Sequence, residues 1–263
     1  MPGGFGCMIN KKVGISIGIV FFILFFNSLS QSLIVISSPI CGNKICEQGE
    51  NIENCRIDCF IYGVVEGTLT EKDAEKIKDL RVMLRRDFLW HEIEPQKGVW
   101  DFSKYDEIIN RTRQNNIPIL GILDYSAEWA SGHRQEEHYP PNNFDDYFNF
   151  VSKVVERYPD IKYWEVWNEE DIVDFWRPQP NAVEYTRLLK GAYNKIKEKN
   201  PDAKVALGGL VSPNYLNYLN QIYNAGGKDY FDIITIHPYS QPKSPCGSVD
   251  YECFLNCGNE YKL

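Results

Sequence analysis

From Phe60 onward, short apolar runs rich in Val, Ile, Leu and Tyr alternate with longer stretches whose apolar positions recur every three or four residues. The short runs predict strands at Phe60–Val65, Val82–Arg86, Ile117–Leu123, Ile161–Trp167, Ala203–Leu207 and Phe231–Ile236. Helical periodicity predicts helices near Thr70–Leu80, Ser103–Asn115, Phe144–Tyr158, Asn181–Asn200 and Pro213–Ala225. Thr70 followed by Asp73 reads as a capping box, and Asn181 followed by Glu184 as a second helix start. A loop carrying Trp90 and Pro95 follows the second strand.

Each predicted helix is long enough to return the chain for a right-handed crossover, so the strands are expected to be parallel. Their nearly continuous apolar character fits a sheet covered on both faces. Two α/β folds accept this pattern, a doubly wound sheet and a (β/α)8 TIM barrel. No Gly-x-Gly-x-x-Gly turn follows the first strand, which removes the main support for a dinucleotide fold. A barrel predicts polar and aromatic groups at the strand C-termini. They fall there: Arg85-Arg86-Asp87, Asp124-Tyr125, Asn168-Glu169 and His237-Pro238-Tyr239. A complete barrel takes eight units and about 250 residues. Residues 60–263 supply about six, and the tail after Tyr239 is rich in Pro, Cys and Gly, so the expectation is an incomplete barrel.

The N-terminal pattern differs. Lys11-Lys12 precede an apolar run from Val13 to Phe26, and no charged residue intervenes between Lys12 and Lys44. Residues 1–38 therefore read as a signal peptide or an uncleaved membrane anchor, and the protein as secreted or held at the membrane. Residues 39–59 form a small Cys-rich segment in which Cys41, Cys46, Cys55 and Cys59 are expected to make two disulfides of open pairing. Zinc is the rival reading for these thiols, which export disfavours. Cys246, Cys253 and Cys257 are odd in number, so one lacks a local partner. The remaining 60–263 is the partial barrel domain. At 43% hydrophobic and 14% aromatic, 263 residues suffice for a sizeable core, and a net charge of −8 argues against a nucleic-acid partner.

The densest chemistry lies in Tyr163-Trp164-Glu165-Val166-Trp167-Asn168-Glu169-Glu170. A carboxyl among indoles is suited to general acid work, because dry surroundings raise its pKa, while flat aromatic faces stack on sugar rings. Strand alternation buries Glu165, which then needs a partner from Arg85 or Arg86. Asn168 can share the side of Glu169 only if the strand end bends. His133 and His138 lie five apart in a polar loop, a poor metal spacing.

Leu84-Arg85-Arg86-Asp87-Phe88-Leu89-Trp90, Gly121-Ile122-Leu123-Asp124-Tyr125-Ser126, Trp164-Glu165-Val166-Trp167-Asn168-Glu169, Gly208-Gly209-Leu210 and Asp232-Ile233-Ile234-Thr235-Ile236-His237-Pro238-Tyr239 occur in order, with a β/α unit between each. The ensemble resembles clan A glycoside hydrolases, most closely family 39 (β-xylosidases and α-L-iduronidases) and related family 5 cellulase-like enzymes. The resemblance implies retaining hydrolysis of O-glycosidic bonds, with Glu169 as acid/base and Asn168 on the sugar 2-hydroxyl. It places Arg85, His237 and Tyr239 in the same cleft, with Trp90, Tyr125, Trp129 and Trp176 as candidate sugar-site walls. The nucleophile of such enzymes closes a seventh strand, which this chain is not expected to contain. The alternative is a catalytically inactive carbohydrate-binding surface protein. Neither reading calls for a cofactor. Glu170-Asp171 stand where the family has proline after Asn-Glu.

Overall fold

The computed structural model describes residues 7–10, 63–65, 69–80 and 82–237. Strands β1 (Cys7–Asn10), β2 (Gly63–Val65), β3 (Met83–Leu89), β4 (Ile119–Asp124), β5 (Tyr163–Val166), β6 (Lys204–Leu207) and β7 (Ile233–Ile236) form one sheet in the order β1-β7-β6-β5-β4-β3-β2. From β2 to β7 the strands are parallel and each lies beside its sequence neighbour. A doubly wound sheet reverses direction partway. This one never does, so its winding is that of a half-barrel of six parallel strands. β1 adds an antiparallel edge, Cys7 opposite Ile236 and Asn10 opposite Ile233.

Helices α1 (Glu71–Leu80), α3 (Ser103–Gln114), α5 (Phe144–Arg157), α6 (Ala182–Lys199) and α7 (Tyr215–Asn224) connect the parallel strands, while α2 (Trp90–Ile93) and α4 (Glu128–Ser131) are single turns at strand ends. The loop expected around Trp90 is thus partly a helical turn. α5 shows why these segments are helical: Tyr147, Phe150, Val151, Val154 and Val155 recur at helical spacing and are all buried. The Asn143 side chain accepts from the Asp145 amide at its start, and Asn181 does the same for Glu184 at the start of α6. Thr70 and Asp73 exchange side-chain to backbone bonds, the reciprocal cap the sequence implied.

The main core lies between sheet and helices. Phe88 and Trp164 point outward from β3 and β5 and pack edge to face at 5.2 Å, with Tyr105 and Tyr158 over Phe88. By alternation, Arg85 and Asp87 of β3, Ile122 and Asp124 of β4 and Glu165 of β5 face the barrel interior. Among the described residues no helix is long and apolar enough to cross a membrane. The apolar run 13–36, Cys41, Cys46, Cys55, Cys59 and Tyr239 lie outside the described residues.

Candidate active site

The interior side chains converge at the C-terminal end of the parallel strands. Arg85 Nη2 donates to Glu165 Oε1 at 2.8 Å and its Nε to Oε2 at 3.2 Å, a bidentate pair whose carboxylate is fully buried. Burial opposes the charge of Arg85, but the Glu165 carboxylate outweighs it and holds the guanidinium above its usual range. A third carboxylate bond comes from the Gly209 amide, 3.0 Å from Glu165 Oε1. The expected partner for buried Glu165 is therefore Arg85. Arg86 instead points outward, with its guanidinium 5.8 Å from the Tyr105 ring.

Arg85 Nη2 also donates to Asn168 Oδ1 at 2.7 Å, and Asn168 Nδ2 donates to the Tyr125 hydroxyl at 2.8 Å. Both ends of the amide are thereby oriented. Asn168 and Glu165 reach the same guanidinium although three residues apart. The bend this requires is present: β5 stops at Val166, and Trp167 and Glu169 take left-handed φ values of 69° and 54°. Glu169 Oε1 then lies 2.7 Å from His237 Nδ1, with both side chains 6% exposed. His237 is held from below, since its amide donates to the Leu210 carbonyl at 2.8 Å. A Cβ at Gly209 would collide with the His237 ring, so this close approach requires glycine.

Tyr125 packs edge-on against Trp167 at 5.3 Å and His138 at 4.5 Å, and stacks on Phe175 at 6.0 Å. These rings give the Asn168 side of the site an apolar wall. His138 is half-buried there and burial lowers its pKa, so it stands as a neutral ring. His133 stacks instead on Tyr139 at 3.6 Å, which separates the two histidines' roles.

Two expectations fail. Trp90 and Trp176 have no exposed surface and cannot be sugar-site walls. Trp90 shares the outward side of β3 with Phe88, stacks on Phe150 at 5.5 Å and donates to Glu94 at 2.8 Å. Trp176 is packed between Trp167 and Tyr185. Trp129 is half-buried, donates to the Glu94 carbonyl at 2.8 Å and carries the Lys97 ammonium 5.4 Å over its ring. That anchors it to the turn after β3.

Asp87 and Asp124 were not singled out as site residues from sequence, yet both face the interior beside Arg85. Asp124 is 1% exposed, and neither carboxyl oxygen has a hydrogen-bond partner among the described residues. Burial, then the neighbouring Asp87 charge, pushes its pKa well above the usual carboxylate range, and burial raises Asp87 as well. Asp87, two residues beyond Arg85 on the same strand, and Asp124, at the end of the next strand, were the signal available in the sequence.

Comparison with known proteins accords with this geometry. The family model Glyco_hydro_42 (Beta-galactosidase) matches residues 59–121. An endo-1,4-beta-xylanase/feruloyl esterase of Xylanibacter ruminicola is 27% identical over 141 residues, 49% of this chain and 19% of that protein. A beta-xylosidase of Geobacillus stearothermophilus is 26% identical over 134 residues, 44% of this chain and 26% of that protein. The chain is similar to clan A glycoside hydrolases. A solved family 39 glycoside hydrolase from Bacteroides cellulosilyticus WH2 superposes with a TM-score of 0.56 at 24% identity, over 70% of this chain and 39% of that one, which shows the shared barrel fold. This chain therefore spans about a fifth to a quarter of the curated glycoside hydrolases it matches.

Proposed function

We propose that this chain carries the acid/base half of a retaining glycoside hydrolase acting on xylose-type oligosaccharides. The observation that carries the reading is the Glu169–His237 hydrogen bond of 2.7 Å, set beside the Arg85–Asn168–Tyr125 chain at the strand ends where barrel enzymes keep their chemistry. The xylan-type substrate rests on what the two curated relatives are named for.

Glu169 protonates the departing glycosidic oxygen, with His237 fixing the carboxyl's direction. Asn168, its carbonyl oxygen committed to Arg85, presents its amide to the sugar hydroxyl beside the anomeric carbon. Retention requires a second carboxyl about 5 Å from the first, attacking the anomeric carbon and later releasing the sugar to water. In this reading that group comes from a seventh parallel strand beyond β7. Export through the 13–36 segment, with the 41–59 cysteines oxidised, belongs to the same proposal.

Azide supplies the test. An added anion can stand in for a missing nucleophile when the leaving group is good. The chain is expected to bind xylobiose, to hydrolyse p-nitrophenyl β-xyloside poorly and to turn over dinitrophenyl β-xyloside faster with azide. Substituting Glu169→Gln is expected to slow reaction of poor leaving groups by about 10²–10⁴, with a much smaller effect on dinitrophenol. Xylobiose binding without azide-stimulated turnover would identify a carbohydrate-binding protein instead. Full unassisted turnover insensitive to Glu169→Gln would remove Glu169 from the chemistry.

A further inference from the structure

Glu169 is a non-glycine residue at φ 54°, and Trp167 two residues earlier is at φ 69°. For an L-residue this region costs about 1–2 kcal/mol, so neighbouring contacts must hold it there. The obvious holder lies in the next two residues, where this sequence departs from the Asn-Glu-Pro pattern.

Glu170 has no exposed surface. Its carboxyl turns away from the cleft toward β6, where a Cβ at Gly208 would run into Oε2 and the carboxyl carbon. Glycine is therefore required at 208 for Glu170 to occupy this place. Behind it the Tyr185 hydroxyl donates to the Val166 carbonyl at 2.9 Å and accepts from the Gly208 amide at 3.0 Å, tying α6 to the tips of β5 and β6. Among the described residues, both Glu170 oxygens and the Tyr218 hydroxyl of α7 are buried without a hydrogen-bond partner. Asp171 completes the clamp by accepting from the amides of Val211, at 3.0 Å, and Ser212, at 2.8 Å. The turn closes with the Ile172 amide on the Glu169 carbonyl at 3.2 Å.

We propose that Glu170 is a positioning residue: wedged between Gly208 and the tyrosines of α6 and α7, it locks the left-handed turn at Glu169 and so aims the Glu169 carboxyl at His237. This rests on the reading of Glu169 as the acid/base. The charge state fits. Burial first, and the Asp171 carboxylate second, push Glu170 well above the usual carboxylate range, so it sits among Glu165, Asp171, Tyr147, Tyr185 and Tyr218 as a neutral acid. A proline at this position would fix its own φ near −65° by covalent means. Here the turn is held instead by a buried side chain packed against β6.

The readout is the hydrogen bond and not turnover, so an inactive protein still gives an answer. The imidazole ¹⁵N resonances of His237 are recorded in the full chain, assigned by loss in His237→Gln, with Glu169→Ala as the reference for a broken contact. Glu170→Gln, a neutral mimic of the same shape, is expected to leave the Nδ1 resonance in place. Glu170→Ala is expected to shift it toward the Glu169→Ala position. Gly208→Ala, which crowds the same carboxyl from β6, is expected to shift it likewise. A merely structural role would lower the melting temperature of Glu170→Ala while leaving Nδ1 unmoved, and that result overturns the proposal. Should Glu170→Ala not fold, an unmoved Nδ1 in folded Gly208→Ala overturns it equally.

Discussion

Asp124 illustrates how the interior handles its surplus of acids. Arg85 is matched by Glu165, and among the described residues neither Asp87 nor Asp124 makes an ion pair. With its folded pKa raised above the unfolded value, Asp124 binds a proton more tightly in the native state. Its contribution is fully present below the unfolded carboxylate value and is lost as pH rises toward the folded one. Asp124→Asn removes that ionisation without changing shape. It should therefore stabilise the chain at pH 7 by about 1–3 kcal/mol, with the two proteins converging below about pH 4; thermal melts across pH measure it. Equal stability at both pH values would show that Asp124 titrates normally. The residues legible in sequence, Arg85, Asn168, Glu169 and His237, share one property: each lies within, or just past the end of, a strand whose direction the pattern gave. Trp90 was misplaced by ignoring that same parity, since it falls on the side of Phe88 and not of Arg85. Trp176, His138 and Phe175 lie in irregular loops, where no period says which way a side chain points.

At the scale of elements, helix starts were the most readable feature because caps are local chemistry. The predicted start of α6 at Asn181 is realised by its side chain accepting from Glu184 at 3.1 Å. Asn181→Ala should cost about 1 kcal/mol, seen as a lowered urea midpoint with unchanged slope. Because α6 carries Tyr185, whose hydroxyl bridges β5 and β6, fraying there would reach the Glu169 turn. Strand ends were harder. The strand predicted over Ile161–Trp167 stops at Val166, three residues short of Glu169, because the left-handed Trp167 breaks the ladder. Sequence pattern cannot foresee that break, since nothing in a tryptophan favours positive φ. The need for Asn168 and Glu169 to share one side did imply it. Gly209 makes the converse point, a glycine explained only once His237 is seen above it: Gly209→Ala should displace the His237 ring and weaken its contact with Glu169.

At the scale of the whole molecule, strand order follows from short βα connections, and the pattern of alternating runs was enough to derive six parallel strands in sequence. What the pattern did not anticipate is β1. Cys7–Asn10, expected to belong to an export leader, pairs along the full length of β7. In an eightfold barrel that edge belongs to the next parallel strand; among the described residues β1 takes that place in antiparallel sense. This pairing and a cleaved leader exclude each other, since cleavage after residue 38 would carry β1 away. The two are separable by hydrogen exchange. In the full chain the amides of Ile233–Ile236 should be protected on both sides of β7. Deleting residues 1–11 should speed their exchange, because β7 then loses the pairing that β1 supplies. Unchanged protection after deletion would mean that β1 contributes nothing at this edge, and the leader reading of the first 38 residues would then stand without a structural competitor.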